Sequence, residues 1–320
     1  MNRHIRGLHH VTAIATDPQR NVDFYNGLLG LRLVKKTVNY DDPGTYHLYY
    51  GDGLGRPGTI LTFFPWPGAR RGTRGAGQAT TTAFTVREGS LEFWRDRLAK
   101  HAVVVSEETL WFGDRVLKFL DPDGLELALV EAATPTPEEP WLNSPVPVEM
   151  SIGGFHSVTL REQVLDRTQG FLEGVMGFKH SASEGERHRF ESHDEGQGRV
   201  VDLVVRRDSG FGRIAAGTVH HIAWRVPDDA EELEWRRHLL EQGADVSPVM
   251  DRQYFKSIYF REPGGVLFEI ATDPPGFTLD EAEVDLGSSL MLPPWLESER
   301  KRIEAALPAI HPATPMAVSE

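Results

Sequence analysis

The chain repeats itself, and this internal repeat limits the folds that it can adopt. Two glycine-led segments match each other, Gly7-Leu-His-His-Val-Thr and Gly154-Phe-His-Ser-Val-Thr. A further glycine follows each leading glycine after 23 residues, within Leu29-Gly-Leu and Met176-Gly-Phe. The residues between them have apolar side chains at helical spacing, and a glycine suits the end of a helix. Each copy therefore predicts a strand followed by a helix.

Two later segments also resemble each other and complete the repeat. A helical pattern recurs at Ser90-Leu-Glu-Phe-Trp and Glu232-Leu-Glu-Trp. A turn with proline and glycine precedes an apolar run at Asp121-Pro-Asp-Gly and Glu262-Pro-Gly-Gly, which is typical of entry into a strand. We therefore expect an α+β fold of four βαβββ modules, each with a strand, a helix and three strands. These modules are predicted near residues 7–65, 79–131, 153–206 and 218–272.

The composition of the segments between modules divides the chain further. We expect residues 1–134 to hold the first pair of modules and residues 151–286 the second pair. Residues 135–150 are predicted to be a linker because they contain five prolines, Pro135, Pro137, Pro140, Pro145 and Pro147, which disfavour regular structure. Residues 287–320 are expected to form an amphipathic helix near 295–307 and then a frayed tail.

The overall composition is that of a globular protein, with 40% apolar and 25% charged residues in 320. The net charge of −13 argues against a nucleic-acid partner. No apolar run approaches the roughly 20 residues that span a bilayer, and the first residues lack the apolar core of a signal peptide. A cytoplasmic location without membrane contact is therefore expected, with a homo-oligomer left open. The chain has no cysteine, so any metal ligands must be nitrogen or oxygen atoms.

Strong metal ligands occupy equivalent positions of the repeat. The first predicted strands of modules one and four begin with the pairs His9-His10 and His220-His221. The equivalent positions in the first and last strands of the four modules hold four strong ligands: His10, Asp202, His221 and Glu269. Successive strand side chains point to opposite faces, so both members of a pair cannot bind one ion from a regular strand. Module three keeps His156 at the first position and has serine at the second, which favours the second histidine of each pair as the ligand.

The pairing of the modules decides which of these residues meet. If modules one and four face each other, His10, His221 and Glu269 share a pocket with Thr62, a weak ligand. If modules three and four pair instead, Asp202 replaces His10 in this set. We prefer the first arrangement because it uses both histidine pairs, although the sequence leaves both open. Two imidazoles and one carboxylate suit Fe(II), Mn(II) or Zn(II) and leave coordination positions free for substrate.

These segments resemble the vicinal oxygen chelate superfamily, which includes glyoxalases and extradiol dioxygenases. The likeness is greatest to its hydroquinone ring-cleaving dioxygenases, such as those that act on dichlorohydroquinone, and it spans nearly the whole chain. It is carried by motifs that include Leu8-His-His-Val-Thr, Tyr46-His-Leu-Tyr-Tyr, His220-His and Gly264-Gly-Val-Leu-Phe-Glu. The resemblance implies two domains of this type and an Fe(II) ion, Fe(2+), held by His10, His221 and Glu269. It also implies roles around the metal or substrate for five residues: His9, Thr12, His220, Arg252 and Tyr259.

The function expected from this resemblance is Fe(II)-dependent, extradiol-type cleavage of a hydroquinone or catechol ring by O2. One alternative is a metal-dependent lyase or isomerase like glyoxalase, which usually has a fourth protein ligand. The other alternative is a protein that binds an aromatic compound without catalysis, because one fold supports many functions. Seven aromatic residues are candidates for the wall of a ring-binding pocket, although most are expected in the core: Phe63, Phe64, Trp66, Phe112, Trp224, Phe255 and Phe268.

Overall fold

The computed structural model describes residues 4–132, 138–194 and 196–313. Modules one and two contain β1 (Leu8–Ala15), α1 (Pro18–Val22) with a π-helical continuation (Asp23–Leu28), β2 (Arg32–Asn39), β3 (Asp42–Gly51), β4 (Ile60–Pro65), β5 (Gln78–Arg87), α2 (Leu91–Lys100), β6 (Thr109–Trp111), β7 (Asp114–Leu120) and β8 (Glu126–Ala132). Modules three and four contain β9 (Phe155–Glu162), α3 (Asp166–Gly174), β10 (Lys179–Glu184), β11 (Arg187–Glu191), β12 (Val200–Val205), β13 (Val219–Val226), α4 (Asp229–Glu241), β14 (Met250–Asp251), β15 (Lys256–Arg261) and β16 (Leu267–Thr272). This order confirms the predicted α+β class and the four βαβββ modules.

The four modules form two curled, eight-stranded sheets of mixed direction. The strand order is β14-β15-β16-β13-β1-β4-β3-β2 in sheet one and β10-β11-β12-β9-β5-β8-β7-β6 in sheet two. Modules one and four therefore share sheet one, as we preferred, and modules two and three share sheet two. Within each module the first strand pairs parallel with the last, and the two modules of a sheet join through antiparallel first strands. Each sheet thus combines one module from each half of the chain.

The helices cover one face of each sheet. Trp94 of α2 and Trp235 of α4 are fully buried at equivalent positions of their modules and belong to an apolar cluster that extends through both sheets. Replacing either side chain with alanine is expected to cost about 3–5 kcal/mol of stability, as for other buried aromatic residues. Because the helices pack on one face of sheet one, its other face is left to line a cavity.

The linker and the tail are largely irregular. Residues 138–150 contain one turn of 3-10 helix, Val148–Met150, and Pro135 and Pro137 lie outside the described residues. The tail has 3-10 turns at Phe277–Leu279, Glu283–Asp285 and Glu297–Glu299, and a helix, α5 (Arg300–Ala306), that is shorter than predicted. Its path across the edge of sheet one is fixed by buried Lys35, whose Nζ lies 2.6 Å from Asp280 and 2.5 Å from Glu281. In the described ranges, none of the helices has the length and apolar character needed to cross a membrane.

Candidate metal centre

Three candidate ligands meet on adjacent strands of sheet one. His10 lies on β1, His221 on β13 and Glu269 on β16, and one ligand atom from each lies within 4.8 Å of the others. Glu269 Oε2 lies 2.9 Å from His221 Nε2 and 3.4 Å from His10 Nε2. All three side chains are buried. Across residues 4–132, 138–194 and 196–313, this is the only group of three or more potential ligands with such spacing.

Two β-bulges explain why adjacent histidines lie on the same side of the sheet. The pairing of β1 with β13 shifts between Leu8 and His10, so that His9 is an extra residue on β1. The same ladder shifts again between His221 and Val219, so that His220 is the extra residue on β13. A bulge redirects a side chain that regular alternation would send to the other face. The alternation argument from the sequence therefore does not apply at these two positions.

Each histidine pair is joined through its Nδ1 atoms. The Nδ1 atoms lie 2.9 Å apart in His9 and His10, and 2.7 Å apart in His220 and His221. Burial and the neighbouring histidine lower the pKa of His9 well below its ordinary value, and they lower the pKa of His220 to about 3. His9 and His220, the outer histidines of the two pairs, are therefore neutral at physiological pH. The inner histidines, His10 and His221, face Glu269 with their Nε2 atoms.

The carboxylate of Glu269 has one occupied and one unpartnered oxygen. Ser257 on β15 donates its hydroxyl hydrogen to Oε1, whereas Oε2 is buried and makes no hydrogen bond of acceptable geometry. Although burial raises it, the pKa of Glu269 lies well below its ordinary value because of His10 and His221. A buried carboxylate with an unpartnered oxygen is costly unless a cation neutralises it. The donor set and this orphaned oxygen therefore fit a divalent metal ion.

A cavity of about 300 Å³ opens beside these ligand atoms. Its aromatic wall consists of Tyr40, Tyr49, Phe64, Trp66, Phe255 and Tyr259. Of the seven aromatic residues proposed from the sequence, Phe64, Trp66 and Phe255 line this cavity. Phe63, Trp224 and Phe268 lie in the apolar core, and Phe112 lies in the turn between β6 and β7. Larger clefts also occur, including one of about 800 Å³ near Arg161, but the ligand cluster borders the smaller cavity, which we take as the functional site.

Arg252 and Tyr259 lie together in the wall of this cavity. Arg252 Nε donates to the Tyr259 hydroxyl at 3.1 Å, and Nη1 lies 3.2 Å from the carboxylate of Asp41 in the turn between β2 and β3. Burial and the nearby Glu269 raise the pKa of Tyr259 well above its ordinary value, although Arg252 opposes this shift. Tyr259 is therefore a neutral hydroxyl that accepts one hydrogen bond and retains a hydrogen to donate.

Behind the ligands lies a chain of hydrogen bonds that the sequence did not predict. Tyr49 bonds His47 Nδ1 at 2.8 Å, His47 Nε2 bonds the Thr62 hydroxyl at 2.8 Å, and Thr62 bonds Thr12 at 2.9 Å. Burial lowers the pKa of His47 well below its ordinary value, as do His10 and His221. His47 lines the cavity, whereas Thr12 is fully buried beside Thr62. The motif Tyr46-His-Leu-Tyr-Tyr contains both His47 and Tyr49. Because these residues are two apart on one strand, the sequence could have indicated that their side chains share a face.

Sheet two has the same positions with different chemistry. Thr81, Ser157 and Asp202 correspond to His10, His221 and Glu269, and β5 and β9 contain equivalent bulges. Asp202 is fully buried between two guanidinium groups. Arg189 bonds it through Nε at 2.9 Å and Nη2 at 3.1 Å, and Arg187 Nη1 lies 2.8 Å away. The structure therefore does not bring Asp202 near His221.

The family model of the Glyoxalase/Bleomycin resistance protein/Dioxygenase superfamily matches residues 7–129 and 154–270. The chain belongs to this superfamily, which confirms the resemblance inferred from its motifs. The fold agrees, since maize glyoxalase I superposes with a TM-score of 0.64 at 17% identity, over 87% of this chain and 95% of that one.

Closer relatives are named as dioxygenases. The chain is 47% identical over 307 residues to MhqO of Bacillus subtilis, which is provisionally named a ring-cleaving dioxygenase, covering 96% of this chain and 97% of that protein. It is 37% identical over 305 residues to the chlorohydroquinone/hydroquinone 1,2-dioxygenase of Sphingobium indicum, covering 93% of this chain and 95% of that protein. A crystal structure of a provisionally named Bacillus subtilis dioxygenase has a TM-score of 0.92 at 47% identity, over 97% of this chain and 98% of that one.

Proposed function

We propose that this protein is a ring-cleaving dioxygenase that uses Fe(II) and O2 to open a hydroquinone- or catechol-type ring. The observation that carries the proposal is the convergence of His10, His221 and Glu269 at the wall of an aromatic-lined cavity. Two imidazoles and one carboxylate form the donor set of non-heme Fe(II) oxygenases and leave adjacent positions free. The names of the relatives support the same class of substrate.

The histidine pairs define how protons are placed around the ion. If Nε2 of His10 and His221 binds metal, each ring carries its hydrogen on Nδ1 and donates it to the outer histidine of its pair. His9 and His220 then accept at Nδ1 and carry their hydrogen on Nε2. Such outer partners orient a ligand ring and increase its basicity. Both members of each pair thus contribute to one site.

The two outer histidines differ in what their rings contact. His9 packs against Phe255, with ring centroids 5.1 Å apart, and is 2% exposed. His220 lines the cavity, so its Nε2–H group is the one placed to donate to a bound substrate. We therefore assign His9 to positioning His10, and His220 to positioning His221 and contacting substrate.

Arg252 and Tyr259 are placed to bind substrate oxygen atoms. A bound Fe(II) ion would lower the pKa of a coordinated phenolic hydroxyl and bring O2 next to the ring. Arg252 uses N–H groups on Tyr259 and Asp41, which leaves further donors of its guanidinium for an anionic oxygen in the cavity. The Tyr259 hydroxyl can donate its hydrogen to the same oxygen or transfer it during the reaction.

Thr62 favours this chemistry over that of a glyoxalase. It stands at the fourth equivalent position of sheet one, where glyoxalase-type sites have a further protein ligand. Its hydroxyl is engaged by His47 and Thr12, and among the described residues the ligand cluster contains three members. Three protein ligands leave more positions for substrate and O2 than four do.

An oxygen-electrode measurement tests the proposal. Apoprotein reconstituted with Fe(II) under anaerobic conditions is mixed with air-saturated buffer and with hydroquinone or catechol. We expect oxygen uptake that matches loss of the aromatic ring one to one, and none with metal-free protein. Ring binding without oxygen uptake would indicate a binding protein. Turnover of a thiol-conjugated aldehyde without O2 would indicate a glyoxalase. Either result would contradict the proposal.

A further inference from the structure

We infer that Ser257 is a positioning residue that holds Glu269 as a ligand through one oxygen and, being neutral, leaves the carboxylate charge for the metal ion. This inference rests on the metal site of the proposed function. Neither the sequence patterns nor the names of the relatives assign any role to this serine.

The direct evidence is the contact between the two side chains. Ser257 is fully buried on β15, and its hydroxyl donates to Oε1 of Glu269. Oε2 is then the oxygen that faces the Nε2 atoms of His10 and His221. A carboxylate with one oxygen already hydrogen-bonded is restrained in rotation, so the other oxygen stays directed at the ion.

Sheet two contains an independent version of the same contact. In sheet one, Tyr259 pairs with Glu269 and Ser257 lies two residues earlier on the same strand. In sheet two, Arg189 pairs with Asp202, the counterpart of Glu269, and Arg187 lies two residues earlier. The residue at the Ser257 position therefore bonds the central carboxylate in both sheets.

The charge at this position separates the two sheets. In sheet two, Arg187 and Arg189 neutralise Asp202, and their guanidinium groups lie 4.1 Å over the ring of Trp111 and 4.4 Å over the ring of Phe112. A carboxylate neutralised in this way has no remaining charge with which to attract a cation. A hydroxyl group satisfies one oxygen of a carboxylate without neutralising it. In sheet one that negative charge remains for a divalent ion.

Ser257 also connects the ligand to the substrate-facing side chains. Ser257 lies two residues before Tyr259 on β15, and Tyr259 pairs with Glu269 on β16. Tyr259 in turn accepts a hydrogen bond from Arg252 in the cavity wall. Replacing Ser257 is therefore expected to affect the position of Glu269 most, and the side chains of the cavity less.

Anaerobic calorimetric titration of the apoproteins with Fe(II) tests this role directly. We expect the dissociation constant of Ser257→Ala to rise by about 10- to 100-fold, the usual effect of removing a group that supports a ligand. Ser157→Ala is the matched control, because Ser157 is a fully buried serine of sheet two. Its affinity is expected to equal that of the wild type.

A second pair of variants separates the hydroxyl from the shape of the side chain. Ser257→Thr and Ser257→Val have nearly the same shape, and only threonine retains a donor. We expect threonine to bind Fe(II) at least about 10-fold more tightly than valine, with similar Tm values for the two apoproteins. Equal affinities of these two, or wild-type affinity in Ser257→Ala, would overturn the role of Ser257 and leave the proposed function in place. A wild-type protein that binds no Fe(II) would overturn both.

Discussion

The two sheets share one architecture and differ at its centre. Both join two modules through antiparallel first strands, with bulges at His9 and His220 in one sheet and at Thr80 and His156 in the other. Both bury a carboxylate at the same position of a module's last strand, Glu269 on β16 and Asp202 on β12. In sheet one this group faces two imidazoles, and in sheet two it faces two guanidinium groups.

This difference shows what the fold contributes and what the side chains contribute. The fold supplies a buried position for a carboxylate, and a buried negative charge requires a compensating cation. In sheet two the protein supplies that cation as Arg187 and Arg189. In sheet one the neighbouring positions are Ser257 and Tyr259, both neutral, so an external cation is needed. The two arginines of sheet two stabilise the fold, whereas the uncompensated carboxylate of sheet one is suited to bind a metal ion.

The largest expected effect comes from removing a ligand in sheet one. His10→Ala should lose Fe(II) binding and oxygen uptake by more than about 100-fold, which exceeds the effect of removing a supporting group. The matched variant Thr81→Ala removes its counterpart in sheet two, whose hydroxyl bonds Glu126 at 2.6 Å. It should lose about 1 kcal/mol of stability and retain activity. Full turnover by His10→Ala, with iron verified absent, would remove His10 from the site.

Neutralising the central carboxylate should have opposite consequences in the two sheets. Asp202→Asn removes the negative charge shared by two guanidinium groups, of which Arg189 also contacts Asp114, and should lower the free energy of unfolding by about 3 kcal/mol, with Fe(II) affinity unchanged. Glu269→Gln should abolish Fe(II) binding and destabilise the apoprotein less. Denaturant unfolding of the apoproteins and iron titration measure both properties. If the two variants behaved alike, the contrast between the sheets would be wrong.

The junctions between modules also differ in charge, and this difference predicts that stability depends on pH. Arg20 lies 2.7 Å from Asp123 where modules one and two meet, whereas Glu162 and Glu262 lie close together where modules three and four meet. Burial and Glu262 raise the pKa of Glu162 to about 8. The folded state therefore retains a proton that the unfolded chain releases near pH 4.3, so stability falls as pH rises from there through about 8.

Glu162→Gln tests this sign, because glutamine does not titrate. Between pH 6 and pH 9 the wild type should lose on the order of 2 kcal/mol of unfolding free energy that the variant keeps. Denaturant unfolding at several pH values measures the difference. Parallel curves for the two proteins across this range would show that Glu162 does not hold a proton.

The smallest expected effect concerns Tyr259, the counterpart of Arg189. Tyr259→Phe removes a hydroxyl that bonds Arg252 and should lower kcat by about 10-fold, less than the roughly 100-fold effect of an obligatory proton donor, because Arg252 still faces the substrate oxygen. Iron content should not change, because Tyr259 is not a ligand. An unchanged kcat would exclude the hydroxyl from the reaction.

The repeat made much of this arrangement predictable from the sequence. Equivalent positions of the last strands identified the carboxylates Asp202 and Glu269, and the two histidine pairs identified β1 and β13 as neighbours if modules one and four met. The pairing itself could not be derived, because Asp202 offered a second complete set of ligands. Only the structure excludes Asp202 as a ligand, because its carboxylate is bonded by Arg187 and Arg189.

Other features of the site lay beyond sequence patterns for physical reasons. A bulge is a property of two paired strands, and the paired strands β1 and β13 are separated by more than half of the chain. The alternation rule for a single strand therefore gave no reason to place adjacent histidines on one side. Ser257 and His47 act through hydrogen bonds to other modules or strands, and a serine or histidine within a strand has no distinctive pattern of its own.

X-ray diffraction at the iron absorption edge, from crystals loaded with Fe(II) under anaerobic conditions, tests the central claim most directly. We predict one anomalous peak per chain, roughly 2.0–2.3 Å from His10 Nε2, His221 Nε2 and Glu269 Oε2, and none beside Asp202. A peak beside Asp202, or crystals fully exposed to Fe(II) that show none at the three ligands, would contradict the account.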